Sequence, residues 1–121
     1  MIERVHHVQV TVPIGAEEFA RHFYTTVLEL TEIPRPPEVQ KFPGFWMKAG
    51  SSDVHFGTED HDEKDLAKAH LAYQVSDMNY WRKKLESHNI QIIETFKIMG
   101  AERLEFHDPF GNHIEFIQPP K

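Results

Sequence analysis

From Glu3 to Val12 polar and apolar residues alternate, so Val8, Val10 and Val12 share one face of an extended chain. His7, Gln9 and Thr11 take the other face. Pro13-Ile14-Gly15 interrupts this strand. From Ala16 to about Leu30 the apolar spacing becomes helical, with one row of Phe19, Phe23 and Val27 beside a second of Ala20, Tyr24 and Leu28. Glu17 and Glu18 in the first turn suit the positive end of the helix dipole. Ile33-Pro34-Arg35-Pro36-Pro37 cannot continue a helix and reads as an extended connector. Gly44 to Ala49 and Asp53 to Thr58 then predict a hairpin around Gly50-Ser51-Ser52.

The same order returns further along. His70 to Val75 alternates, with His70, Ala72 and Gln74 opposite Leu71, Tyr73 and Val75. Asp77 is placed to cap a helix whose buried face carries Trp81 and Leu85 and which ends near Asn89, a residue suited to a left-handed cap. Strands follow over Gln91 to Phe96, Arg103 to His107 and Asn112 to Gln118, the last two joined by the turn Asp108-Pro109-Phe110-Gly111. The charged stretch from Glu59 to Lys68 reads as a solvated connection between the halves. The pattern therefore predicts an α+β fold of two tandem βαβββ modules, about 3–58 and 69–118, in a single domain spanning 1–121. The strands are expected to form a curved mixed sheet, a cup with polar residues lining its concave face and both helices outside.

Superposing the halves matches His7 with His70 and His55 with Glu115. Each of these lies on the face turned away from the helix-facing apolar residues. Two copies of a half-site thus offer three imidazoles and a carboxylate. That donor set suits a divalent zinc, nickel, iron, manganese or cobalt ion. Arg103, Glu105 and His107 share the polar face of their strand, as Trp46 and Lys48 share theirs. Gln9, Gln74, Trp46, Lys48 and Arg103 are the expected substrate contacts. His6, His61, His88, His107 and His113 have no matched partner in the repeat and receive no role, although His113 adjoins the expected ligands.

Composition narrows the picture. A chain of 121 residues that is 40% hydrophobic and 26% charged is of ordinary globular make-up. It has no cysteine, which removes disulfides, thiolate ligands and a cysteine nucleophile and favours a reducing compartment. A formal charge of −6 argues against a nucleic-acid partner, which requires a basic face. No apolar run reaches the roughly 20 residues of a membrane span, and no secretory leader precedes the first strand, so a cytoplasmic location is expected.

The segments His7-Val8-Gln9-Val10, Phe23-Tyr24, Val27-Leu28, His70-Leu71-Ala72-Tyr73 and above all Asp108-Pro109-Phe110-Gly111-Asn112-His113-Ile114-Glu115-Phe116 resemble the vicinal oxygen chelate superfamily. That group includes glyoxalase I, fosfomycin- and bleomycin-resistance proteins and extradiol dioxygenases. The resemblance covers nearly the whole chain and implies metal ligands at His7, His70 and Glu115, with His55 at the fourth position of four-ligand members. It implies a homodimer acting on a small molecule with vicinal oxygens, by lyase or isomerase chemistry, with Glu115 handling protons; Glu105, on the polar face of its own strand, is the alternative carboxylate for that step. A histidine at position 55 departs from glyoxalase I, which has a second glutamate there. Two rival readings stand beside the first: an extradiol-type dioxygenase, and a metal-free sequestering protein of the bleomycin-resistance kind.

Overall fold

The computed structural model describes residues 1–60 and 67–121. The chain forms two compact units, Met1–Asp62 and Glu63–Lys121. In the first, β1 (His7–Pro13) leads into α1 (Glu17–His22), followed by the short strand β2 (Thr31–Ile33) and the hairpin β3 (Gly44–Ala49) and β4 (Ser52–Glu59). These strands form one mixed sheet ordered β1-β4-β3-β2. β1 and β4 run parallel and the other neighbours antiparallel. The second unit repeats the plan with β5 (His70–Gln74), α2 (Met78–Ser87), β6 (Ile93–Glu94), β7 (Glu102–His107) and β8 (His113–Gln118) in the order β5-β8-β7-β6. This is the α+β architecture of two βαβββ modules. Among the described residues no helix is long and apolar enough to cross a membrane.

Each unit buries the apolar side of its sheet against its helix. In the first, Val12, Phe45, Met47, Val54 and Phe56 meet Ala20, Tyr24, Val27 and Leu28. Phe45 stacks on Phe56 at 4.5 Å, and Tyr24 leans on Phe56 at the same distance. In the second, Leu104, Phe106, Ile114 and Phe116 pack with Met78 and Leu85, and Trp81 meets Phe116 edge to face. His7, His55, His70, Glu105 and Glu115 alternate with these core residues along their strands and take the opposite side of the sheet.

Several expected boundaries move. β1 begins at His7 rather than Glu3, because its partner β4 starts at Ser52, next to the Gly50 turn, and offers nothing to pair with residues 3–5. The first helix is α-helical only to His22; Phe23–Val27 widens into a π-helical turn, with Leu28 N–H donating to the Phe23 carbonyl. The β-branched run Thr25-Thr26-Val27 crowds the preceding turn, and the wide turn places Phe23, Tyr24, Val27 and Leu28 all in the core. Phe19, expected on the buried row, is 63% exposed instead. Thr31–Ile33 is a strand where the sequence suggested only a connector, and Pro37–Val39 forms a 3-10 turn. The strand expected over 91–96 shrinks to Ile93–Glu94, since the Phe96 carbonyl is bonded by the Arg103 guanidinium at 3.0 Å rather than by a neighbouring strand.

Other expectations are met closely. Asp77 caps α2, accepting the Tyr80 N–H at 3.1 Å, and Asn89 adopts φ +58° just beyond the helix. The Asp108 carboxylate is buried and accepts from Phe110 N (2.9 Å), Asn112 N (2.8 Å) and Asn112 Nδ2 (2.8 Å). These bonds close the Asp108–Gly111 turn. The charged stretch expected to bridge the halves lies largely outside the described residues, as does His61.

Candidate metal centre

The expected ligands fall into two pairs, one on the polar face of each sheet. In the first unit the His7 ring stacks on His55 at 4.1 Å, and Trp46 stacks on the other side of His55 at 3.8 Å with coplanar rings. His55 is thereby sandwiched and only 6% exposed. Its Nε2 is buried without a hydrogen-bond partner among the described residues. Burial, followed by the neighbouring His7, pushes the His55 imidazole below its ordinary pKa and favours the neutral, lone-pair-bearing form.

In the second unit His70 Nδ1 donates to the Lys68 carbonyl at 2.9 Å, which turns its Nε2 toward Glu115 Oε1 at 3.0 Å. Glu115 is buried, and Arg103 forks onto it with Nε to Oε2 at 2.8 Å and Nη2 to Oε1 at 3.2 Å. That guanidinium holds the Glu115 carboxyl below the usual range, with His70 adding to the effect against the opposing cost of burial.

The remaining expected residues share these faces. Glu105 is bonded to His113 Nε2, and its Oε2 lies 4.0 Å from Arg103 Nη2. Lys48 is engaged by Asp53 at 2.5 Å. Gln9 lies over Gly57, where an added Cβ would collide with the Gln9 amide. Gln74, on β5, is exposed and pairs with Ile117 in the sheet register. Sequence reasoning gave no role to His107 and His113, yet the register places His107 directly across from His113 and His113 across from His70. Strand parity already put them on the polar face. What it lacked was the β7–β8 hairpin register.

Do these residues fit a divalent ion? Two ligands bound about 2.1 Å from one ion at right angles lie about 3.0 Å apart. The His70–Glu115 separation is compatible with that spacing as well as with an ordinary hydrogen bond, and the second nitrogen of His70 is fixed by a carbonyl as in metal-binding imidazoles. The partnerless Nε2 of His55 is a second donor atom awaiting a cation. The donor set therefore fits, although among the described residues no three His, Asp or Glu side chains converge on one point.

The model of the Glyoxalase/Bleomycin resistance protein/Dioxygenase superfamily matches residues 4–116, and the chain belongs to that superfamily. Among solved structures, a Bacillus anthracis protein assigned to the glyoxalase family is 35% identical, with a TM-score of 0.90 over 99% of this chain and 98% of that one. A glyoxalase/dioxygenase from Nostoc punctiforme shares the fold at 19% identity and a TM-score of 0.81, covering 98% of this chain and 92% of its own. The fosfomycin resistance protein FosX from Listeria monocytogenes, complexed with Mn(II) and sulfate, shares it at 13% identity and a TM-score of 0.79, covering 99% and 93%. No curated protein matches the chain.

Proposed function

We propose that the chain is a metal-dependent enzyme of the lyase or isomerase kind, acting on a small molecule with two adjacent oxygens. His7, His55, His70 and Glu115 hold one divalent ion, and the active species is a cytoplasmic homodimer. The observation that carries this reading is the His70–Glu115 contact, a carbonyl-anchored imidazole presenting its Nε2 to a carboxylate at 3.0 Å. The buried, partnerless Nε2 of His55 supports it. So does the Mn(II) complex of FosX, a protein of the same fold.

When bound, the ion supplies Lewis-acid polarisation of the substrate oxygens. The chain's own residues supply the rest. Arg103 keeps Glu115 ionised, the form that ligates and that can accept a proton, while making it a weaker base. Glu105 is the second carboxylate on that face and moves a proton where Glu115 is committed to the metal. Trp46 offers an aromatic wall beside His55, and Gln9 and Gln74 offer amides for orienting a polar substrate. Lys48 and Arg103 favour an anionic group, each after release from its present carboxylate partner.

Metal analysis of untagged protein tests this. One equivalent of bound divalent metal is expected to disappear in His70→Ala and in Glu115→Gln, with the fold retained. Metal-free wild-type protein that nickel, zinc and manganese do not stabilise overturns it. That result favours the second reading, a metal-free sequestering protein, for which one specific observation speaks: Arg103 forks onto Glu115 and supplies its countercharge.

A further inference from the structure

The polar face of the second sheet is a lattice of cross-strand rows. His70, His113 and His107 form one row across β5, β8 and β7; Ala72, Glu115 and Glu105 form the next. Neighbouring strands lie about 4.8 Å apart and same-face rows about 6.7 Å apart. The His70–Glu115 contact is a diagonal from the first row on β5 to the second row on β8. His113 and Glu105 repeat that diagonal one strand over, and His113 Nε2 touches Glu105 Oε1.

The two imidazoles are also anchored alike. His70 Nδ1 donates to the Lys68 carbonyl, and His113 Nδ1 donates to the carbonyl of the adjacent Ala67 at 3.3 Å. Each anchored ring turns its Nε2 toward a carboxylate oxygen. Two such atoms make a stable contact only around a cation, whether a proton or a metal. Arg103 does not fill that role for Glu105, because its short bonds go to Glu115 while Glu105 stands 4.0 Å away. The row ends in His107, whose Nε2 is buried with no hydrogen-bond partner among the described residues and whose ring centre is 5.1 Å from that of His113.

The first unit carries no such copy. There the diagonal displaced from His7 and His55 joins Asp53 to Trp46, and Asp53 is engaged by Lys48. The duplication therefore belongs to the second unit alone and does not follow from the repeat.

We propose that His113, Glu105 and His107 form a second divalent-metal site within the second unit, beside the His70–Glu115 pair; Glu105 moves a proton only while that second site is empty. Two imidazoles and one carboxylate suit zinc, cobalt, nickel or ferrous iron and leave positions open for water or an exogenous ligand. His113 and Glu105 are in contact already. His107 completes the set by turning its ring, a movement that breaks no hydrogen bond of its Nε2 among the described residues.

The test is metal stoichiometry on the full-length chain without an affinity tag, stripped with chelator and then dialysed against Zn(II) or titrated with Co(II). Wild type is expected to take up two equivalents. His70→Ala is expected to keep one, and the double variant Glu105→Gln/His107→Gln to keep the other, with unchanged circular dichroism. Wild type binding a single equivalent that His70→Ala abolishes overturns the second site and leaves the function proposed above standing. Two equivalents persisting in the double variant also overturn it, showing that the His113–Glu105 contact encloses only a proton. Wild type that binds neither ion overturns both proposals. Should the double variant fail to fold, the wild-type count against His70→Ala still decides.

Discussion

Among single residues, His55 carries the sharpest physical signature of the first unit. It lies between Trp46 and His7, and burial lowers its pKa in the folded chain relative to the unfolded chain's ordinary value near 6.5. Below that value the unfolded state binds more protons than the folded one, so stability falls as the pH drops toward the folded pKa. Glu115 adds a second window at lower pH. Its folded pKa is depressed chiefly by Arg103, so its contribution is present above the unfolded carboxylate range and lost as acid protonates it. In chelator-treated protein the urea midpoint is expected to be flat between pH 8 and pH 7 and to fall from about pH 6.5 downward. The fall just below that point is expected to be shallower in His55→Gln. An equal fall in both proteins removes His55 from this account. Asp108 has a structural role of the same local kind. Its buried carboxylate accepts three hydrogen bonds, so Asp108→Ala is expected to cost about 3 kcal/mol in denaturant unfolding.

For the elements, the sequence was most legible where one local rule acted alone. Strand parity put His7, His55, His70, Arg103, Glu105 and Glu115 on polar faces, and the Asp77 cap, the Asn89 terminator and the Asp108–Gly111 turn each followed from the chemistry of their own residues. Reading failed where a neighbour decided. The start of β1 depends on where β4 begins, the end of β6 depends on an Arg103 side chain, and His107 and His113 gain meaning only from the hairpin register. The π-helical turn was hidden because its apolar residues also fit an α-helical row, and the Leu28 N–H bond to the Phe23 carbonyl marks the difference. Two substitutions test these local causes. Gly44 has φ +143° and a Cβ there would meet the Phe56 carbonyl, so Gly44→Ala is expected to destabilise by about 1–3 kcal/mol in denaturant unfolding. Asp77→Ala removes one cap bond and is expected to cost about 1 kcal/mol in the same measurement.

At the scale of the whole molecule, the duplicated βαβββ plan explains why the donors come as two pairs. Each unit closes its own core between helix and sheet and leaves a polar face. Phe106, fully buried in the second core, is expected to cost about 3–5 kcal/mol when cut to alanine, whether or not metal is present. In the proposed function the His7–His55 pair and the His70–Glu115 pair serve one ion. Trp46 reports on it, since its ring stacks on His55 at 3.8 Å, and the chain has only one other tryptophan, Trp81. In a Trp81→Phe background, Co(II) or Ni(II) is predicted to quench Trp46 emission to saturation, and His70→Ala is predicted to abolish that quenching although it changes no residue of the first unit. Emission indifferent to metal, or quenching that survives intact in His70→Ala, contradicts the account.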